Sequence, residues 1–156
     1  MSRIAWGLIA LAWAMPVGGQ AAAQPSPAEV VKRIYEQVEV FCSGQDVAPP
    51  YTDKFMREMF DKPVADRYLT RLHKSQVDFD IFIDGQDCKL TNLVIEPIEA
   101  PAGAAVVVRA RFSNFDTART IDFEFHQSGV AWVISDLRYR HRTFTLRSYL
   151  KLKPRG

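Results

Sequence analysis

The sequence predicts an α+β domain in which N-terminal helices pack on one face of a four-stranded antiparallel meander. Two observations carry this. The apolar period changes from three-and-four to two at Leu90. Two independent turns also place the same residues of a middle strand, Ile121, Phe123 and Phe125, on one face.

The helices come first. Ser26-Pro27-Ala28-Glu29 joins a capping serine, a proline at the first helical position and a glutamate three residues after the cap. Val30, Val31, Ile34, Tyr35, Val38, Phe41 and Cys42 then form one apolar stripe, which Ser43-Gly44 ends. Beyond Pro49-Pro50, Thr52-Asp53 opens a short helix carrying Phe55, Met59 and Phe60. Asp61-Lys62-Pro63 opens a third with Val64, Tyr68, Leu69 and Leu72.

Strands are expected over Leu90–Glu99, Ala105–Ser113, Arg119–Gln127 and Val130–Tyr139. A hairpin at Ser128-Gly129 pairs Phe125 with Trp132 and Phe123 with Ile134. The turn at Phe115-Asp116 pairs Phe125 with Val106, Phe123 with Val108 and Ile121 with Ala110. The opposite face carries Arg109 and Arg111 beside Asp122 and Glu124, placed for cross-strand ion pairs.

Residues 1–23 read as a signal peptide. Arg3 precedes an apolar run from Ile4 to Val17, then a helix-breaking Pro16-Val17-Gly18-Gly19 and the small residues Ala21-Ala22-Ala23. The run is shorter than the roughly 18–20 residues that span a bilayer, so no transmembrane segment is expected in the mature chain. Residues 24–142 then make a single α+β domain, followed by a basic C-terminal segment, 143–156. Export to the periplasm or medium bears on the two cysteines, Cys42 and Cys88. In a reducing compartment they read as small buried hydrophobes; after export they read as a disulfide.

Charge is nearly balanced, with 20 basic and 18 acidic residues. Such a chain is not built for nucleic acid. After Asp136 there are no acids, however, while Arg138, Arg140, Arg142, Arg147, Lys151, Lys153 and Arg155 follow. That end reads either as a solvated terminus or as a dock for an anionic partner.

The helix start SPAEVVKRIY, the IDGQD turn and the last strand AWVISDLRY together resemble a family of exported bacterial domains of unknown function, over residues 26–139. The resemblance implies the cone of nuclear transport factor two and its relatives, in which helices cap a curved sheet around a pocket. That superfold hosts isomerases, dehydratases, binding modules and dimerisation domains, so it leaves function open.

The stretch DFDIFIDGQD, residues 78–87, concentrates four carboxylates. Neither Asp78 nor Asp80 as first ligand gives the spacing of a calcium loop. Alternation instead puts Asp78, Asp80, Phe82 and Asp84 on one side of an extended segment, with Phe79, Ile81 and Ile83 on the other. Asp84-Gly85 supplies a turn. The resembling family carries the same Gln-Asp pair here, which makes Gln86 and Asp87 binding candidates. The alternative is that they hold the turn by bonding to backbone.

Asp136 shares a face with Trp132 and Ile134 under strict alternation. It reads as a pocket base of raised pKa, as isomerases of that superfold use, or as a carboxylate binding Arg138 or a backbone amide. Tyr35 and Tyr139 are the tyrosines placed to assist it. His73, His126 and His141 form no Ser-His-Asp or Cys-His set. The chain has no glycine-rich phosphate loop and no metal-ligand spacing, so no cofactor is expected.

The first reading is a non-catalytic exported module that binds a small apolar ligand or a periplasmic partner protein. An isomerase or dehydratase working through Asp136 or Asp87 is the second. The third is an inhibitor or immunity-type protein whose basic end meets an acidic partner.

Overall fold

Ser26 accepts the Glu29 amide on its hydroxyl, while Glu29 accepts the Ser26 amide on its carboxylate at 2.6 Å. This reciprocal cap starts α1, Pro27–Cys42, in the computed structural model, which describes residues 24–44, 52–100 and 106–155. The leader expected over 1–23 and most of the APAGA turn lie outside the described residues. Helices α2 (Asp53–Met59) and α3 (Lys62–Leu72) follow. Four strands complete the sheet: β1 (Leu90–Ile98), β2 (Val106–Asn114), β3 (Thr117–Ser128) and β4 (Ala131–Tyr139). A last short helix, α4, spans Leu146–Tyr149. The sheet is antiparallel in the order β1-β2-β3-β4, and the fold is α+β.

The α1 stripe is buried from Val30 to Val38 as its spacing predicts, but Phe41 is exposed. Cys42, the next residue, still packs against the core. In α2 the buried residue is Met56, which the sequence reading passed over, with Phe60 buried just after the helix. The chain joining α2 to α3 then runs along β4: Phe60 bridges Ile134 in parallel, and the Asp61 amide donates to the Ile134 carbonyl at 2.8 Å. One edge of the sheet is thereby partly covered. The other edge, β1, carries Pro97 and a register break between Thr91 and Val94, both of which blunt an edge against further pairing.

The β2–β3 register is the one the sequence predicts, with Phe125 opposite Val106, Phe123 opposite Val108 and Ile121 opposite Ala110. All six are buried or half-buried on the helix-covered face. The β3–β4 register differs. The turn falls at Gly129-Val130, so Ser128 pairs with Ala131 and Phe125 with Ile134 rather than Trp132. A β-bulge then inserts Ser135, which sets Asp136 opposite Glu124 and Leu137 opposite Phe123. The Ser135 hydroxyl donates to the Glu124 carbonyl at 3.0 Å, giving that oxygen a partner where the ladder is interrupted. Alternation slips by one residue here. Leu137 and Tyr139, not Asp136, continue the core that Ile134 began.

Residues 78–84 are not extended as alternation predicts. The chain curls into a single turn, closed by an Asp80–Gly85 bridge and an Asp84 amide to Asp80 carbonyl bond of 2.9 Å. Phe79, Ile81, Phe82 and Ile83 all go inside. The Asp80 carboxylate starts the turn by accepting the Phe82 amide at 2.7 Å and the Ile83 amide at 3.3 Å. Gly85 is required where it stands: a Cβ there would come within 2.8 Å of Asn114 Nδ2. That amide is engaged, donating to the Asp87 carbonyl at 2.8 Å while its oxygen accepts the Lys89 amide.

Cys42 and Cys88 form a disulfide with their Cα atoms 5.2 Å apart, tying the end of α1 to the approach to β1. The C-terminal segment set apart at 143 belongs to the same core. Leu146 and Leu150 are buried, and Phe144, Tyr149 and Leu152 pack against them. Among the described residues no helix is long and apolar enough to cross a membrane.

Candidate functional site

The residues singled out from sequence fall into structural roles around the 78–87 turn and the chain end. Tyr35 is buried beneath the turn, and its hydroxyl donates to the Phe82 carbonyl at 3.0 Å. Tyr139 does the same to the Ile81 carbonyl at 3.2 Å. Burial pushes both phenols well above their ordinary range, helped by the nearby Asp80 and Asp84. They are neutral donors holding the turn, and neither is paired with Asp136.

Asp136 is buried at the β4 bulge. Burial raises its pKa, opposed by hydrogen bonds from the Thr145 side chain and from the Arg147 and Leu137 amides. Its Oδ1 accepts both amides at 2.8 Å. The carboxylate therefore fastens the first turn of α4 to the sheet. Of the two structural partners open to it in sequence, the backbone amide is the one found; Arg138 instead reaches Glu124 at 2.7 Å.

Gln86 and Asp87 are exposed. Gln86 closes the turn by donating its side-chain amide to the Asp78 carbonyl at 3.2 Å. Asp87 contributes its main-chain carbonyl, bound by Asn114, to the same closure. The structure brings neither together with Asp136.

A buried cluster that sequence reasoning missed lies directly beneath this turn. Asp84 is fully buried at a φ of 50°, in the left-handed region. Its two oxygens meet the Arg142 guanidinium and the His141 ring. The same Arg142 lies 4.8 Å above the Phe79 ring and 5.2 Å from Phe144. A carboxylate inside the apolar run FDIFID needs cations from somewhere, and the run RYRHR was the available source. That signal was present but unlocated in the sequence.

The arginines of the basic end are paired within the chain. Arg138 pairs with Glu124, Arg140 with Asp122, Arg142 with Asp84, and Arg147 and Arg155 with Asp61. Every arginine after Asp136 thus meets an acid of its own chain, while Arg138, Arg140 and Arg155 stay partly open to solvent. Only Lys151 and Lys153 in that run have no carboxylate partner among the described residues. On the open sheet face Asp122 also binds Arg109 through two bonds of 2.7 and 3.0 Å. Arg111 reaches across to Glu96 instead of to β3. In the groove on that face Asp122, Glu124, Arg138 and Arg140 are matched with one another, while Glu99 at its rim has no ion pair among the described residues.

Beside α3 several cations have no carboxylate partner among the described residues. Arg67, Arg71 and Lys74 line an open cleft of about 220 Å³ together with Thr70, Gln76, Leu150 and Lys151. Arg71 is held in place there, donating to the Tyr149 carbonyl at 2.7 Å with its guanidinium 4.4 Å from the Tyr149 ring centroid.

No group of three or more metal-ligating side chains occurs among the described residues. No family model matches the chain, and no curated protein or solved structure matches it either.

Proposed function

We propose that this chain is an exported, non-catalytic module with a cone-type α+β fold, and that its role is to bind a partner protein. The observation that carries the reading is the state of the interior. The Tyr35 ring packs on Phe112 at 5.5 Å and Phe123 at 6.0 Å, and Phe82 stacks on Phe123 at 6.3 Å. Aromatic rings fill the space between α1 and the sheet, where a cone would hold an apolar ligand. Among the described residues, the grooves along α3 and on the open sheet face are open to solvent and edged by charged side chains, which favours a macromolecular surface over a small apolar molecule.

The isomerase or dehydratase alternative needs a carboxylate and a tyrosine facing a shared pocket. Asp136, Tyr35 and Tyr139 are each engaged with backbone instead. Export draws support from the leader pattern and from the Cys42–Cys88 bond, which suits an oxidising compartment.

Native mass spectrometry of protein recovered from the periplasm tests the reading. A mass beginning within two residues of Gln24, with the disulfide intact and a protein-sized companion, is the expected result. A retained small apolar molecule overturns the partner reading, and an intact Met1 in a membrane fraction overturns export.

A further inference from the structure

We infer that the trough between α3 and the C-terminal turn docks an extended, carboxylate-rich peptide segment of another protein, an inference that rests on the partner-binding reading above. Shape is the first support. The cleft around Arg67, Arg71 and Lys74 shares Arg67 and Thr70 with a second open groove of about 470 Å³ that continues to Pro63, Asp66 and Leu152. Together they follow one side of α3 from Pro63, and the turn after the helix as far as Lys74. The helical part alone, to Leu72, is about 14 Å at 1.5 Å per residue, the length of about four residues of extended chain.

Charge is the second support. Every arginine after Asp136 is matched by a carboxylate of this chain, yet Arg67, Arg71, Lys74 and Lys151 have none among the described residues. The one acid along the trough, Asp66, is neutralised from outside by Arg57 and by Lys62 at 2.5 Å. Helix-end electrostatics accounts for a cation such as Arg71 in the last turn of α3. Lys151 reaches the same trough from a different segment, the residue just past the end of α4.

Lys151 is the third support. It takes the left-handed conformation after α4, φ 59°, with its amide bonded to the Ser148 carbonyl at 3.0 Å. That position suits glycine or asparagine. A lysine there accepts backbone strain and contributes a charge to the trough in return. The chain's own acidic run, 78–87, is closed into its own turn through Asp80 and Gln86, so it does not supply the occupant.

The test is fluorescence anisotropy of a fluorescein-labelled hexaglutamate peptide titrated with the mature protein. Saturable binding is expected, weakened at least tenfold in the double variant Arg67→Gln/Lys151→Gly. The double variant Lys32→Gln/Lys54→Gln removes the same charge from α1 and α2 and should stay within twofold of wild type. Both lysines are exposed partners of helical glutamates. Thermal melts establish that all variants fold.

Equal weakening by the two pairs overturns the proposal in favour of general charge attraction. So does an absence of saturable binding. Displacement of the peptide by inorganic phosphate at equal charge concentration overturns it in favour of a small-anion site. Tighter capture by phosphatidylglycerol vesicles overturns it in favour of a membrane. A dimer in sedimentation velocity that the Arg67/Lys151 variant abolishes overturns it in favour of self-association. If the variant binds hexaglutamate like wild type while native mass spectrometry retains a protein, the partner docks elsewhere and only this inference fails. If the retained species is a small apolar molecule, the underlying reading fails instead.

Discussion

Asp80 shows how one carboxylate can serve a fold and tax it. It starts the 78–84 turn through two amides, yet burial pushes its pKa from 3.8 to about 6 against their pull. The folded state therefore holds this proton more tightly than the unfolded chain does. The stabilisation is full below the unfolded value and is lost as pH rises through about 6. Asp80→Asn keeps an acceptor for the Phe82 and Ile83 amides and removes the charge. Urea melts should show it more stable than wild type by about 1–3 kcal/mol at pH 8, and unchanged at pH 3. A gain of the same size at both pH values would sink the account. Arg142→Met should cost about 3 kcal/mol or more, because it leaves Asp84 buried with only His141 beside it. A loss under 1 kcal/mol in the same melts would mean that water already serves Asp84. Neither role was legible in the sequence. Asp84-Gly85 was readable as a turn, but its cations arrive from more than fifty residues downstream, and no local spacing encodes such a pairing.

Among the elements, the β2–β3 hairpin was legible because a two-residue connection leaves one register that keeps Ile121, Phe123 and Phe125 together. The β3–β4 hairpin was not, because Ser128, Gly129 and Val130 permit turns one step apart. A trace of the bulge was there. Apolar residues fall at 132 and 134 and then at 137 and 139, a slip of one that strict alternation cannot accommodate. The slip decides the fate of Asp136, which moves from an apparent pocket face to the end of a helix. It leaves Trp132 on the face of Ile134, but nearer the hairpin end and only half-buried against the core. Phe123→Ala should cost about 3–5 kcal/mol. Trp132, half-buried and opposite Gln127, should cost clearly less when cut to alanine. Equal losses in urea would mean that the core is packed as tightly at the hairpin end as around Phe123. Gly85→Ala tests the turn in the same way. Its Cβ displaces the Asn114 side chain from two backbone partners, for an expected loss of about 1–3 kcal/mol.

At the scale of the whole molecule, α1 and β1 are tied by a disulfide that closes a separation of 46 residues, worth about 4 kcal/mol in the chain-entropy picture. Reduction should lower the urea midpoint accordingly without abolishing the fold. An unchanged midpoint would show that the bond adds nothing to the packing. Removing residues 144–156 should do more. It strips Leu146 and Leu150 from the core and leaves Asp61 and Asp136 short of partners, so the cooperative transition should vanish. The cations that serve Asp61 and Asp84 come from sequence more than fifty residues downstream of each, at Arg142, Arg147 and Arg155. A polypeptide made amino end first carries those acids unmatched until that stretch has followed. The order of the letters thus acts as a clock, and the native state sets only once its late cations have been laid down.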